Sequence, residues 1–161
     1  MKHIRLPLFL LAAGLVASSL LTTRSFAAAP TNLGHPDAEL IRLEIQKSEY
    51  LFGTPAQRQI ALQMFAPEFQ GIGYGPSGPV RENYASILTL ITLFPMLPPG
   101  TITWTDWRVL QLGTNTYVVS YVAIGPGPTG DVVAYYESST WNWRDGSWKT
   151  LFFHQSQVDV P

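Results

Sequence analysis

Around Pro98-Pro99-Gly100 the hydrophobic period of this 161-residue chain changes, and that change narrows the folds open to it. Before it, apolar residues recur three and four apart, the spacing of one helical face. After it they alternate with period two, the spacing of a half-buried strand. Ile41, Ile45, Ser48 and Phe52 mark a first helix over 37–52, widened by Leu40, Leu43 and Leu51. Asp37 and Glu39 suit its first turn, where the macrodipole favours acids, and Gly53 ends it. Thr54-Pro55-Ala56-Gln57 restarts a helix at once, with a capping Thr, Pro at the first position and Gln to close a capping box. That helix runs to about Phe65, and Pro67 stops it. A short strand over 68–74 follows, made pliable by Gly71 and Gly73. Pro79 then opens a third helix to about Phe94, with Tyr84, Ile87, Leu88 and Ile91 on its inner face.

Beyond Gly100 four long strands are predicted, over 101–112, 116–124, 131–144 and 147–157. The parity slips between Trp104 and Trp107, so a bulge is expected near Asp106. Helices first and strands after argue an α+β domain. The expected architecture is a cone-shaped barrel, with three N-terminal helices packed on a strongly curved antiparallel sheet.

The start of the chain reads as an address. Lys2, His3 and Arg5 precede Leu6 to Thr23, which carries no charge, and Arg24-Ser25-Phe26-Ala27 supplies small residues at the cleavage positions. This is the three-part pattern of a secretory signal peptide, 1–27. Cleavage leaves a single domain, 28–161, exported to the periplasm or secreted and off the membrane; the competing reading is an uncleaved anchor, because the 18 uncharged residues reach the short edge of a bilayer span. Seven basic and eleven acidic residues remain after cleavage, a net charge of about −4. That balance excludes a general nucleic-acid binder, which needs a basic stripe. At 46 % hydrophobic residues and 13 % charged, the chain is not disordered. It has no Cys, which excludes disulfides and thiolate metal sites. After processing only His35 and His154 remain, at no metal-ligand spacing, and no phosphate-binding loop or nucleophile elbow is present. No metal and no cofactor is expected.

The strongest local signal is Asp145-Gly146 between two strand patterns, a two-residue hairpin turn. A tight turn fixes register. Paired positions then sum to 291: Trp143 meets Trp148, Trp141 meets Thr150, Ser139 meets Phe152 and Glu137 meets His154. A carboxylate beside an imidazole raises its pKa and fixes its tautomer, as a general base requires. The alternative is a plain cross-strand pair on a half-exposed sheet. Tyr50 on the first helix completes the candidate catalytic set. Tyr74, Tyr84, Trp104 and Trp141 are candidate ligand contacts, or core residues. Asp106, between two Trp, is either a buried acid or the bulge residue.

The run Ser138-Ser139-Thr140-Trp141-Asn142-Trp143-Arg144-Asp145-Gly146-Ser147-Trp148, followed by Phe153-His154-Gln155, resembles the last hairpin of the nuclear transport factor 2-like superfamily. The nearest branch is the SnoaL-like and calcium/calmodulin-dependent kinase II association-like group of unknown function. Met64-Phe65-Ala66-Pro67-Glu68-Phe69 resembles that group's helix-to-strand step, so the likeness covers about residues 37–157. It implies the cone fold, commonly as a homodimer joined through its sheets. It also implies either cofactor-free proton chemistry or plain binding. Tyr50 falls near the isomerases' first-helix Tyr, but their base position falls near Gln70 to Ile72, where no acid stands. The reading that results is a domain binding a small apolar or aromatic molecule in the cone. The alternatives are a cofactor-free lyase, isomerase or hydrolase using Glu137 and His154, or a dimeric interaction module.

Overall fold

The computed structural model describes residues 36–75, 78–98, 100–126 and 131–158. The expected leader and residues 76, 77, 99, 127–130 and 159–161 lie outside the described residues. The elements run α1 (Asp37–Leu51), α2 (Pro55–Leu62), β1 (Phe65–Gly75), β2 (Gly78–Asn83), α3 (Tyr84–Leu90), β3 (Thr103–Gly113), β4 (Thr116–Pro126), β5 (Val132–Arg144) and β6 (Ser147–Val158). This is the α+β class expected from the change of period.

The six strands form one mixed sheet in the order β2-β1-β6-β5-β4-β3. Strands β3 to β6 make the expected antiparallel meander, and β1 joins it parallel to β6. The sheet is open, with β2 and β3 as edges, rather than closed or strongly curled.

Local chemistry explains most boundaries. Thr54 caps α2, accepting from the Gln57 backbone N–H at 3.4 Å while Gln57 Oε1 accepts from the Thr54 N–H at 2.8 Å. Arg58 ties α2 to the segment after α3, donating to the carbonyls of Gly53, Ile91 and Phe94. The third helix is shorter than expected. Pro79 lies not in a helix but in β2, a sheet-edge strand, where a missing N–H costs no ladder bond. The helix begins only after Asn83, which accepts from the Ser86 N–H at 2.9 Å in a second capping box. The bulge near Asp106 is present: the register shifts between Thr105 and Arg108, and Asp106 has φ +56°.

The hairpin turn at Asp145-Gly146 is confirmed, with φ +49° and +75°. Register follows the expected sum from Arg144–Ser147 to Trp141–Thr150, then slips by one residue. Leu151 is extra, so Thr140 pairs with Phe152, Ser138 with His154 and Glu137 with Gln155. A one-residue slip exchanges the faces of every later side chain.

The helices cover one face of the sheet. Leu40, Leu43, Met64, Ile102, Tyr117, Val119, Ala123 and Trp141 are buried in one core cluster. Leu51, Phe52, Phe65, Phe69, Ile87, Ile91, Phe94 and Phe153 are buried in another.

Gly146 holds a φ that costs an L side chain about 1–2 kcal/mol. Gly146→Ala is therefore expected to lower unfolding free energy by about 1 kcal/mol in a urea titration, with no change in slope.

Candidate functional site

Helix α1 turns an unusual stripe toward the sheet: Leu40, Leu43, Glu44, Lys47, Ser48 and Leu51 are all buried. The 3.6-residue period puts them on one face, but three of the six are polar. Glu44 is 0 % exposed and Lys47 2 %. Each is satisfied. Lys47 Nζ donates to Glu44 at 2.8 and 3.0 Å and to Ser139 Oγ at 2.9 Å. It also lies 5.1 Å from the ring centre of Trp141 and 5.7 Å from those of Phe65 and Phe153. Glu44 further accepts from Trp141 Nε1 at 2.7 Å, Ser139 Oγ at 3.0 Å and Tyr121 Oη at 2.9 Å.

Tyr121 joins a second carboxyl to this group. Its Oη lies 2.6 Å from Glu137 Oε2, and Glu137 Oε1 accepts from Gln155 Nε2 at 2.8 Å. Gln155 Oε1 in turn accepts from the Tyr74 N–H at 3.0 Å. A phenol carries one proton, so two short contacts to two carboxyls require a second proton. Burial pushes Glu137 up to about 8 against the opposing pull of its hydrogen bonds, so at neutral pH Glu137 holds that proton. Glu137 then donates to Tyr121, and Tyr121 donates to Glu44. Burial raises the Tyr121 phenol well above its ordinary range, and both neighbouring carboxyls add to the effect. With Glu137 neutral, the charges of Glu44 and Lys47 cancel.

A third buried carboxyl stands apart. Glu82 on β2 is 3 % exposed, and its Oε2 has no hydrogen-bond partner. It pairs in register with Gly71. The glycines of β1 make its room: a Cβ on Gly73 would lie 2.5 Å from Glu82 Oε1. Burial alone lifts the Glu82 pKa to about 7. The carboxyl lines a narrow cleft with Lys47, Ser48, Leu51, Phe65, Phe69, Ile87 and Phe153. The cleft has room for about 10 Å³, the space of one water-sized group. A broader open depression of about 500 Å³ lies elsewhere, around Glu68, Tyr84, Arg144 and Lys149.

The structure redistributes the residues singled out from sequence. Glu137 and Trp141 are in the buried network. His154 is not with them: it pairs with Ser138 on the opposite face of β6, because the bulge at Leu151 moves it there. The expected Glu137–His154 pair therefore does not form. Tyr50 and Tyr84 pack against the helix-side core, Tyr74 against Val133 and Tyr135, and Trp104 against the core beneath α1. Glu44, Lys47, Tyr121, Ser139, Gln155 and Glu82 were not singled out. One sequence signal bears on two of them, the Glu44-x-x-Lys47 pair on the apolar side of α1; Glu82 stands out only once β2 is paired with the glycine-rich β1. No group of three or more potential metal ligands occurs among the described residues, and no helix there is long and apolar enough to cross a membrane.

No family model matches this sequence, and no curated protein matches it. Solved structures do. An NTF2-like protein of unknown function from Pseudomonas aeruginosa superposes with a TM-score of 0.60 at 16 % identity, covering 76 % of this chain and 97 % of that one. A ketosteroid isomerase-like protein from Erwinia carotovora atroseptica gives 0.60 at 15 %, covering 80 % and 100 %. The association domain of C. elegans CaMKII gives 0.57 at 15 %, covering 74 % and 93 %. The chain thus has the fold of the nuclear transport factor 2-like proteins, as its last hairpin led one to expect. At these identities the likeness shows fold alone.

Both raised carboxyls carry a pH signature. Below about pH 4.5 the folded and unfolded chains both hold these protons. As pH rises through about 7 for Glu82 and about 8 for Glu137, the unfolded chain has already released them, so stability falls. The melting temperature is expected to drop from about pH 5 to about pH 8.5. Glu82→Gln and Glu137→Gln should each flatten part of that drop, because an amide does not titrate and Gln at 137 still donates to Tyr121. A drop left unchanged in both variants would refute the assignment.

Proposed function

We propose that this domain binds a small, largely apolar molecule in the cleft between α1, α3 and the β1–β2 ribbon, with Glu82 as its polar anchor. One observation carries the reading: a carboxyl that is 97 % buried and has one oxygen unpartnered lines a space walled by Leu51, Phe65, Phe69, Ile87 and Phe153. An orphan carboxyl in apolar surroundings costs several kcal/mol, more than an orphan hydroxyl or indole N–H. A role in binding accounts for its retention. The cleft is narrow, so binding requires the walls to part around all but the anchored group. That fits a pocket closed over by aromatic and aliphatic side chains.

A second reading rests on the same carboxyl. A group that titrates near pH 7 in an apolar site is suited to taking and returning a proton without a cofactor. The neighbour named as ketosteroid isomerase-like supports the class, not the substrate.

The proposal includes export, on the leader pattern of residues 1–27, and a homodimer. The uncovered face of the sheet carries the row Leu110, Val118, Thr140 and Phe152, which the register aligns across four strands. Leu110 is 62 % and Phe152 38 % exposed. Such a face suits a self-complementary interface. Neighbours described as an association domain and a hub homology domain agree with assembly.

Native mass spectra of protein purified from an exporting host test the whole reading. The expected species is a dimer that begins at Ala28 and retains a small apolar compound. A ligand-free chain that also gives no thermal shift with small aromatic compounds would remove the binding proposal. Separately, Leu110→Lys with Phe152→Lys is expected to convert the dimer to monomer by light scattering, with the melting temperature of the monomer retained. Dimer mass unchanged in that variant would move the interface elsewhere.

A further inference from the structure

Resting on the binding proposal above, we propose that the cleft selects a cation: an apolar primary or secondary amine whose ammonium group bonds Glu82 Oε2 while its hydrocarbon part lies against the aromatic walls.

Glu82 lacks a counter-charge within the cleft. Lys47 is the only other titratable residue among those lining the cleft. Its ammonium is already committed to both oxygens of Glu44 and to Ser139. Glu44 is itself filled by Ser139, Trp141 and Tyr121. The network beneath α1 is thus closed and electrically balanced, and it leaves Glu82 uncompensated. The other residues lining the cleft, Ser48 and Leu51 on α1, Phe65 and Phe69 of β1, Ile87 on α3 and Phe153 on β6, bring no positive charge.

The walls of the cleft also suit a cation. Three of the lining residues are Phe, whose ring faces attract cations. The protein already uses two of these rings this way, with Lys47 Nζ 5.7 Å from the centres of Phe65 and Phe153. Size agrees: space for one water-sized group in the cleft that Glu82 lines is space for an ammonium head. An anionic ligand would meet Glu82 with like charge. A neutral alcohol would donate one hydrogen bond but leave the buried charge unbalanced. A charge-assisted bond from an ammonium supplies both, and such bonds are roughly twice as strong as neutral ones.

Calorimetric titration with benzylamine, benzyl alcohol and toluene, on the full mature protein and on Glu82→Gln, tests the inference. Benzylamine is expected to bind at least tenfold more tightly than benzyl alcohol. Glu82→Gln is expected to lose at least tenfold for benzylamine while its affinity for toluene stays within threefold. Saturating benzylamine should also hold the Glu82 carboxyl ionised, moving its titration by ¹³C NMR to lower pH in a protein labelled at Glu. Equal affinity for amine and alcohol, unaffected by Glu82→Gln, would overturn the cation inference yet leave the apolar cleft standing. No binding by any of the three compounds at millimolar concentration would overturn both, and would assign Oε2 to a bound water.

Discussion

The buried pair of Glu44 and Lys47 is the interaction on which the rest of the molecule depends. Both charges lie on the one face of α1 that meets the sheet. Removing two charges from water is expensive, and their mutual attraction offsets that cost only if the remaining donors and acceptors are filled. Here they are filled by residues from three other positions on two strands: Ser139 and Trp141 of β5 and Tyr121 of β4. The helix is therefore not simply laid on the sheet by apolar contact. Its polar groups admit one rotation and one height. The same pair shapes the electrostatics of the cleft, because the lysine that lines it is already bonded to Glu44 and Ser139.

The three buried carboxyls divide the work by environment. Glu44 is ringed by donors and carries its charge. Glu137 touches a phenol and an amide, and burial keeps it protonated at neutral pH. Glu82 has neither a cation nor a donor at one oxygen, and lies between the two states. Identical side-chain chemistry thus yields an anion, an acid and an unsettled group within one small domain. Of the three, only Glu82 lines the narrow cleft.

Fold was the legible part of this sequence. The change of period at Gly100, the cap at Thr54, the slip near Asp106 and the turn at Asp145-Gly146 each rest on local chemistry, and each is in the structure. What misled was long-range or cumulative. Pro79 reads as a helix start by local rules, but an edge strand accepts it equally well, and only pairing with β1 decides. The register of the last hairpin held for four pairs, then failed at Leu151, where nothing in the residue types marks an extra position. That single residue moved His154 to the other face and replaced it with Gln155 beside Glu137. The α1 stripe was obscured for a different reason. Glu44 and Lys47 read as solvated by type, and only their partners on β4 and β5 make burial tolerable.

The placement of β1 has a consequence for the order in which the chain can mature. Among the described residues the β2–β1 ribbon meets the rest of the sheet only through β6, the last of these strands in chain order. Until residues 147–158 exist, the ribbon that carries Glu82 has no neighbour on its inner edge. The floor of the cleft also lacks Phe153, and Glu137 lacks Gln155. Helix α1 meets an incomplete set of partners throughout synthesis, since Tyr121, Ser139 and Trp141 also come from the second half. Contacts this distant in sequence close late and slowly. A nascent chain of this kind remains uncommitted until residues 147–158 have emerged.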